Sequence, residues 1–248
     1  MVSGPAAADA IRRARAMPLL RVGLHLVVIE GQPTLPAAAI PSLVGPDRTF
    51  PSNQFGLGLR YAALPGARRQ LAAEIEAQFS AFAATGLKLD HANAHKHMHL
   101  HPVIGGLMIQ VGCRFGLRAI RVPAEPPAVL AAAGTRSGPG DLLLYRWTRL
   151  LRTQAHRAGL HTNDHCFGIA WSGRMEADRV LGLIPHLPAG VSEIYFHPAT
   201  GQNEAMRRVM PGYRPEAELA TLLDPRLRVA LKQVGMLITY TDLTEAPA

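Results

Sequence analysis

The chain has 248 residues, 48% hydrophobic and 18% charged, a make-up that excludes a disordered protein and leaves room for a sizeable core. Its 26 Lys and Arg against 18 Asp and Glu give a net charge of +8. The arginines are scattered, as in "IRRARAM", "GARRQ" and "AMRRVM", with no helix-turn-helix, zinc finger or aromatic-basic platform, so nucleic acid is not an expected partner.

Two cysteines, Cys113 and Cys166, lie far apart and form no C-x-x-C pair, which argues against a disulfide framework and for a reducing cytoplasm. No stretch reaches the roughly 18–20 apolar residues that span a bilayer. The first 17 residues lack the apolar core of a signal peptide. The expectation is a cytoplasmic protein with at most a peripheral contact at the inner face of the membrane.

In chain order, residues 6–17 have helix-forming composition, and "LLRVGLHLVVI" (19–29) reads as a buried strand. Residues 30–59 are rich in Gly and Pro and read as a long functional loop. The spacing of Leu71, Ile75, Phe79 and Phe82 predicts a helix over 66–86, followed by a strand over 87–94. A helix over 102–116, a strand over 117–126, a helix over 140–158 and strands over 162–170 and 192–200 come next. A helix over 216–235 and the segment "MLITYTDL" (236–243) close the chain. Alternating strands and helices imply parallel βαβ units, read here as a single domain over 1–248.

"KLDHANAHKHMHLHP" (88–102) puts five histidines into residues 91–101. In an extended segment His95, His97, His99 and His101 would point to one side, and imidazoles grouped in this way need a metal, carboxylates or carbonyls as partners. His25 and His197 also fall near strand ends, where parallel α/β folds gather ligands. Two histidines and one carboxylate with an open position form a hydrolytic metal pattern. The carboxylate candidates, Asp90, Glu125, Asp164 and Glu193, are not singled out by their flanks, and a polar structural network accounts for the same histidines.

These segments match a known family. "RVGLHLVVIEGQP" (21–33) resembles the "vGlHlnLteG.P" segment of the YdjC-like carbohydrate deacetylases, "LDHANAHKHMHLHP" (89–102) resembles their "tHvDsHqHvH..P", and "EIYFHPAT" (193–200) is similar to their "E.m.HP" strand. "IRVPAEP", "HTNDHCFGIAWSGRM" and "PGYRPEAELATLLDPRLR" are most similar to the hopanoid-associated (HpnK) branch. The resemblance implies an irregular (β/α) barrel of the polysaccharide deacetylase type and metal-dependent removal of an acetyl group from an N-acetylated amino sugar. It assigns His25 and His95 as ligands of one divalent ion, Mg²⁺ or Zn²⁺, and His197 as a catalytic residue, either a general acid or a tuner of charge on the tetrahedral intermediate. His97 and His99 would support the site, and Arg121 would line the sugar pocket.

Two departures qualify that expectation. Asn93 stands where the family has an aspartate. The family's opening "DDfG" strand, whose aspartates complete the metal shell and serve as base, has no counterpart here, so the barrel is expected to lack its first strand. Either the start is placed late or the product is a truncated, inactive barrel that binds a sugar or a protein partner. A histidine-rich metal buffer is a third reading. The expected partners are a small or lipid-linked amino sugar, by resemblance an N-acetylglucosaminyl hopanoid, and a second copy in a homodimer.

Overall fold

The structure is a computed structural model describing residues 1–136 and 138–245. In chain order the elements are α1 (Ala7–Arg15), β1 (Val22–Leu26), α2 (Gln54–Ala63), α3 (Pro65–Ala84), β2 (Leu89–Ala94), α4 (Pro102–Arg114), β3 (Ala119–Ile120), α5 (Pro127–Ala132) and α6 (Pro139–Arg157). Then follow β4 (His161–Thr162), β5 (His165–Phe167), α7 (Ala177–Leu183), β6 (Ser192–Ile194), α8 (Glu204–Val209), α9 (Pro215–Leu223), α10 (Pro225–Val234) and α11 (Tyr240–Glu245). They form two compact units. The first comprises Met1–Arg121, Arg149–Thr162 and Thr239–Ala248, and the second Val122–Thr148 and Asn163–Ile238.

The first unit holds a parallel sheet of order β1-β2-β3-β4. α3 packs Leu71, Ile75 and Phe79 inward, as the 3.6-residue spacing predicts, and all three are buried beside Leu24, Leu26 and Ile29 of the first strand and its exit. The same face buries two polar residues that no periodicity reveals. Gln78 accepts from Val27 N at 2.9 Å and donates to Val27 O at 2.7 Å. Glu74 accepts from the backbone N–H groups of Thr34 and Leu35 at 2.8 and 2.9 Å. α3 therefore satisfies the loop that leaves β1, whose backbone would otherwise be buried without partners.

The second unit pairs β5 and β6 in parallel, with Cys166 opposite Glu193. Its core gathers Leu130, Phe167, Trp171, Met175, Val180, Leu183, Ile184 and Leu227.

Several elements differ from the sequence reading. The loop over 30–59 gives way at its end to α2, capped by the Asn53 side chain, which accepts from Gly56 N. The strand expected over 117–126 stops at Ile120. Asn163 takes its place as partner, accepting from Val122 N at 2.7 Å and donating to Val122 O at 2.8 Å. The same asparagine divides the strand expected over 162–170 into β4 and β5. The helix over 216–235 breaks at Asp224, because Pro225 disfavours helical geometry in the residue before it, and Asp224 then caps α10.

The closing segment 236–243 forms no strand. Met236 and Leu237 are 84% and 71% exposed, and a capping box begins α11 instead: Asp242 Oδ2 accepts from Thr239 N while Thr239 Oγ1 accepts from Asp242 N. The histidine run is not extended either. Residues His95–Leu100 form a 3-10 turn in which Lys96 and His97 have φ of 49° and 54°, so the four alternate histidines do not share a face.

Replacing Gln78 by Leu strips both Val27 backbone groups of their partner in a dry site. We expect a loss of about 2–4 kcal/mol in urea unfolding with an unchanged m-value.

Candidate functional site

The site is built on the pairing of β1 with β2. Parallel register sets His25 opposite Asn93 and Leu26 opposite Ala94. Nearer the strand starts the register slips: Val22 faces Leu89 but Leu24 faces Ala92, so β2 carries one extra residue in the stretch holding Asp90 and His91. Gly23 sits beside this bulge, and a Cβ there would lie 2.7 Å from His91 Cε1. The bulge and the missing side chain make room for a second imidazole beneath His25.

From there a file of polar groups runs along the strands. His25 Nδ1 and Asn93 Oδ1 are 2.5 Å apart, Asn93 Nδ2 and His91 Nε2 3.3 Å, and His91 Nδ1 and Asp90 Oδ2 2.9 Å. Asp90 Oδ1 accepts from Thr241 N and Thr241 Oγ1 at 2.8 and 2.7 Å. The His91 ring stacks on Tyr240 with centroids 4.4 Å apart. Asp90 and Asn93 are buried.

His95 follows β2 directly, and its ring lies edge-on to that of His25 with centroids 5.7 Å apart. Burial pushes the His25 pKa down to about 3, aided slightly by the charges of the N-terminus, His95 and Arg121 and opposed by the Asn93 hydrogen bond. The ring is therefore neutral at pH 7. With Nδ1 engaged by Asn93, its free lone pair is on Nε2, the chemistry a divalent cation requires. The His25–His95 pair thus fits two ligands of one ion. Among the described residues no group of three or more His, Cys, Asp or Glu is arranged to hold a metal, so this pair supplies only part of a coordination shell.

The other histidines of the run have separate duties. His99 is fully buried and its Nε2 donates to Arg121 O at 3.0 Å, while Arg121 N donates to Ala92 O. His99 therefore pins the end of β3 against β2, and burial holds its pKa well below the ordinary value. The His97 ring lies 6.2 Å from that of His99. His101 occupies the N-cap position of α4 without a side-chain capping bond and bonds the backbone of Gly58 in α2.

His197 belongs to the second unit, three residues beyond β6. Its backbone N–H donates to Glu218, a fully buried carboxylate whose other oxygen accepts from Met175 N at 3.0 Å. Its ring is flanked edge-on by Tyr195 and Tyr213, with centroids at 5.5 and 5.2 Å. Tyr213 is held by Ser172 through their hydroxyls at 2.7 Å, and it fills the space a Cβ at Gly173 would need.

Three of the four carboxylate candidates are occupied structurally. Glu125 accepts from the backbone N–H groups of Gly168, Ile169 and Ala170, and burial raises its pKa despite those bonds. Asp164 accepts from Val191 N, and Asp90 serves Thr241 and His91. Sequence reasoning missed Glu218 and the His91–Asn93 connection. Only the two-residue period of β2, which sets His91 and Asn93 two apart, carried a hint of the latter.

The model of the YdjC-like protein family matches residues 1–233. The chain belongs to that family. A carbohydrate deacetylase of Geobacillus stearothermophilus is 31% identical over 253 residues, covering 98% of this chain and 84% of the relative. A chitooligosaccharide deacetylase of Enterobacter sp. is 32% identical over 247 residues, covering 98% and 86%. The crystal structure of an Enterococcus faecalis protein named for cellobiose-phosphate cleavage superposes with a TM-score of 0.72 at 20% identity, covering 98% of this chain and 86% of that one. The fold is accordingly mixed α/β with parallel strands, as expected of this family.

A buried histidine whose pKa is depressed binds fewer protons in the folded chain than in the unfolded one, where it titrates near 6.5. His25 and His99 both contribute stability that is complete above that pH and is lost as pH falls below it, for His25 down to about 3. Urea unfolding of metal-free protein should show its midpoint falling steadily from pH 7 to pH 5. A flat profile would contradict the neutral burial of both rings.

Proposed function

We propose that the protein is a metal-dependent hydrolase that removes the acetyl group of an N-acetylated amino sugar. The observation that carries this reading is the His25–His95 pair at the adjoining ends of β1 and β2, with His25 held neutral by burial, in a chain of the YdjC-like family whose relatives are named carbohydrate and chitooligosaccharide deacetylases. Mg²⁺ or Zn²⁺ bound to this pair would acidify a water molecule and polarise the amide carbonyl. His25 offers its bare nitrogen because burial keeps the ring neutral. His95 enters from the turn that follows β2, and Arg121, whose charge reaches His25, is assigned to the sugar. Breaking the C–N bond leaves an amine nitrogen that must gain a proton, and His197 is assigned as its donor by family resemblance. The products are acetate and the free amino sugar.

The finer substrate assignment is a lipid-linked sugar, an N-acetylglucosaminyl hopanoid, handled at the membrane surface. Support for a membrane contact comes from α6. Leu143, Trp147 and Leu150 recur at i, i+4 and i+7 and are 67%, 46% and 40% exposed, with Arg146 and Arg149 exposed beside them. No acidic residue occurs between Asp141 and Asp164. Apolar and basic side chains on one helix suit an anionic bilayer surface, and two such faces would repel each other in a homodimer. No described helix is long and apolar enough to cross a membrane.

The second reading, a barrel that binds sugar without turnover, is favoured by the lack of a three-ligand group among the described residues. Acetate release from acetylglucosaminyl substrates in the presence of Mg²⁺ or Zn²⁺ separates the two. For the enzyme, His25→Ala and His95→Ala should each lower kcat/KM by about 100-fold or more. Sugar binding with no acetate from the unaltered chain would establish the second reading.

The membrane contact is read from Trp147, since the other tryptophan, Trp171, is buried. Vesicles containing phosphatidylglycerol should shift Trp147 emission to the blue at low salt, whereas purely zwitterionic vesicles should not. The same emission with both vesicle types would remove α6 as the contact.

A further inference from the structure

We infer that Asp90, acting through His91 and Asn93, dictates which ring nitrogen of His25 is left bare, so that Asp90 and Asn93 are positioning residues for that histidine. The polarity of the file allows one arrangement of neutral groups. An ionised Asp90 only accepts, so His91 must place its proton on Nδ1, 2.9 Å away. A neutral His91 then has a lone pair on Nε2, which must receive a donor, and the Asn93 amide nitrogen is the group facing it. That orientation turns the Asn93 carbonyl oxygen toward His25, whose Nδ1 must in turn carry its proton. Nε2 of His25 is thereby the acceptor nitrogen. Each step is forced by the one before it, and the first is fixed by a carboxylate buried under Thr241.

Asn93 is the indispensable relay because an amide is both donor and acceptor. An aspartate at this position accepts from both sides. It would still take the His25 proton, but it would also call for a proton on His91 Nε2. A neutral His91 would then face Asp90 with a bare nitrogen. The asparagine is therefore matched to the Asp90–His91 pair beneath it, and the bulge and Gly23 that seat His91 belong to the same arrangement.

The tautomer assignment stands on these contacts alone, while its consequence for ion binding rests on the proposed function. Both can be read separately on ¹⁵N-histidine-labelled, metal-free protein. Long-range ¹H–¹⁵N spectra at pH 7.5 should show His25 and His91 protonated at Nδ1. In Asp90→Asn the retained Oδ1 keeps Thr241, and the new amide donates to His91 Nδ1. His91 then carries its proton on Nε2, Asn93 turns over, and His25 becomes protonated at Nε2, two hydrogen bonds beyond the substituted group. Zn²⁺ affinity by competition should fall about 10–100-fold in step.

Asn93→Asp provides an independent pattern should Asp90→Asn not fold: His91 gains a proton on Nε2 while His25 keeps its own on Nδ1. An unchanged His25 tautomer in folded Asp90→Asn, or a bare His91 Nε2 in Asn93→Asp, overturns the inference. A tautomer switch without any Zn²⁺ binding in the unaltered protein would leave the inference standing and sink the metal assignment.

Discussion

The parallel register between β1 and β2 is the constraint on which the rest of the first unit depends. A slip of one residue would send His25 and Asn93 to opposite faces, since side chains alternate along a strand. The register is held from both sides. Leu24 and Leu26 are buried against α3, and Gln78 of that helix grips both backbone groups of Val27 just after the strand. The local slip at Asp90 and His91 then operates within a frame that cannot drift.

A common device recurs away from that sheet. Buried carboxylates and amides in this protein mostly hold backbone that has left regular structure. Glu74 holds the exit of β1, Asn163 holds Val122, Glu125 gathers three consecutive N–H groups after β5, and Glu218 joins the segment before α7 to His197. Each costs desolvation, and each is offset by satisfying donors that irregular chain would otherwise bury unpaired. Such a protein can keep short strands and long connections and still order its loops.

This explains what could be read from residues alone. Helices with a clean apolar stripe, such as α3 and α4, and the cores of β1 and β2 were legible because burial writes a period into the sequence. Side chain to backbone contacts write none, so the early end of β3 and the division between β4 and β5 were not legible. The closing segment 236–243 carried no assignment, and its structure is set locally: Thr239 and Asp242, three residues apart, form a helix start. The histidine run misled through its own regularity. Alternation implies a shared face only if the backbone is extended, and Lys96 and His97 are not. His25 and His95 were singled out as ligand candidates by resemblance, whereas the groups bonded to His25 became visible only with the register in hand.

The left-handed turn has a counterpart. Glu30, in the loop that leaves β1, is likewise a non-glycine residue at positive φ, 48°, and its carboxylate meets Lys96 Nζ at 2.6 Å. Each such residue holds a backbone conformation that costs on the order of 1–3 kcal/mol. The two wound segments, one after β1 and one after β2, are fastened to one another by that ion pair. This rim of the sheet is therefore sprung like a clasp, with the strain stored where the chain turns away and the His25 and His95 rings held on the relaxed side of it.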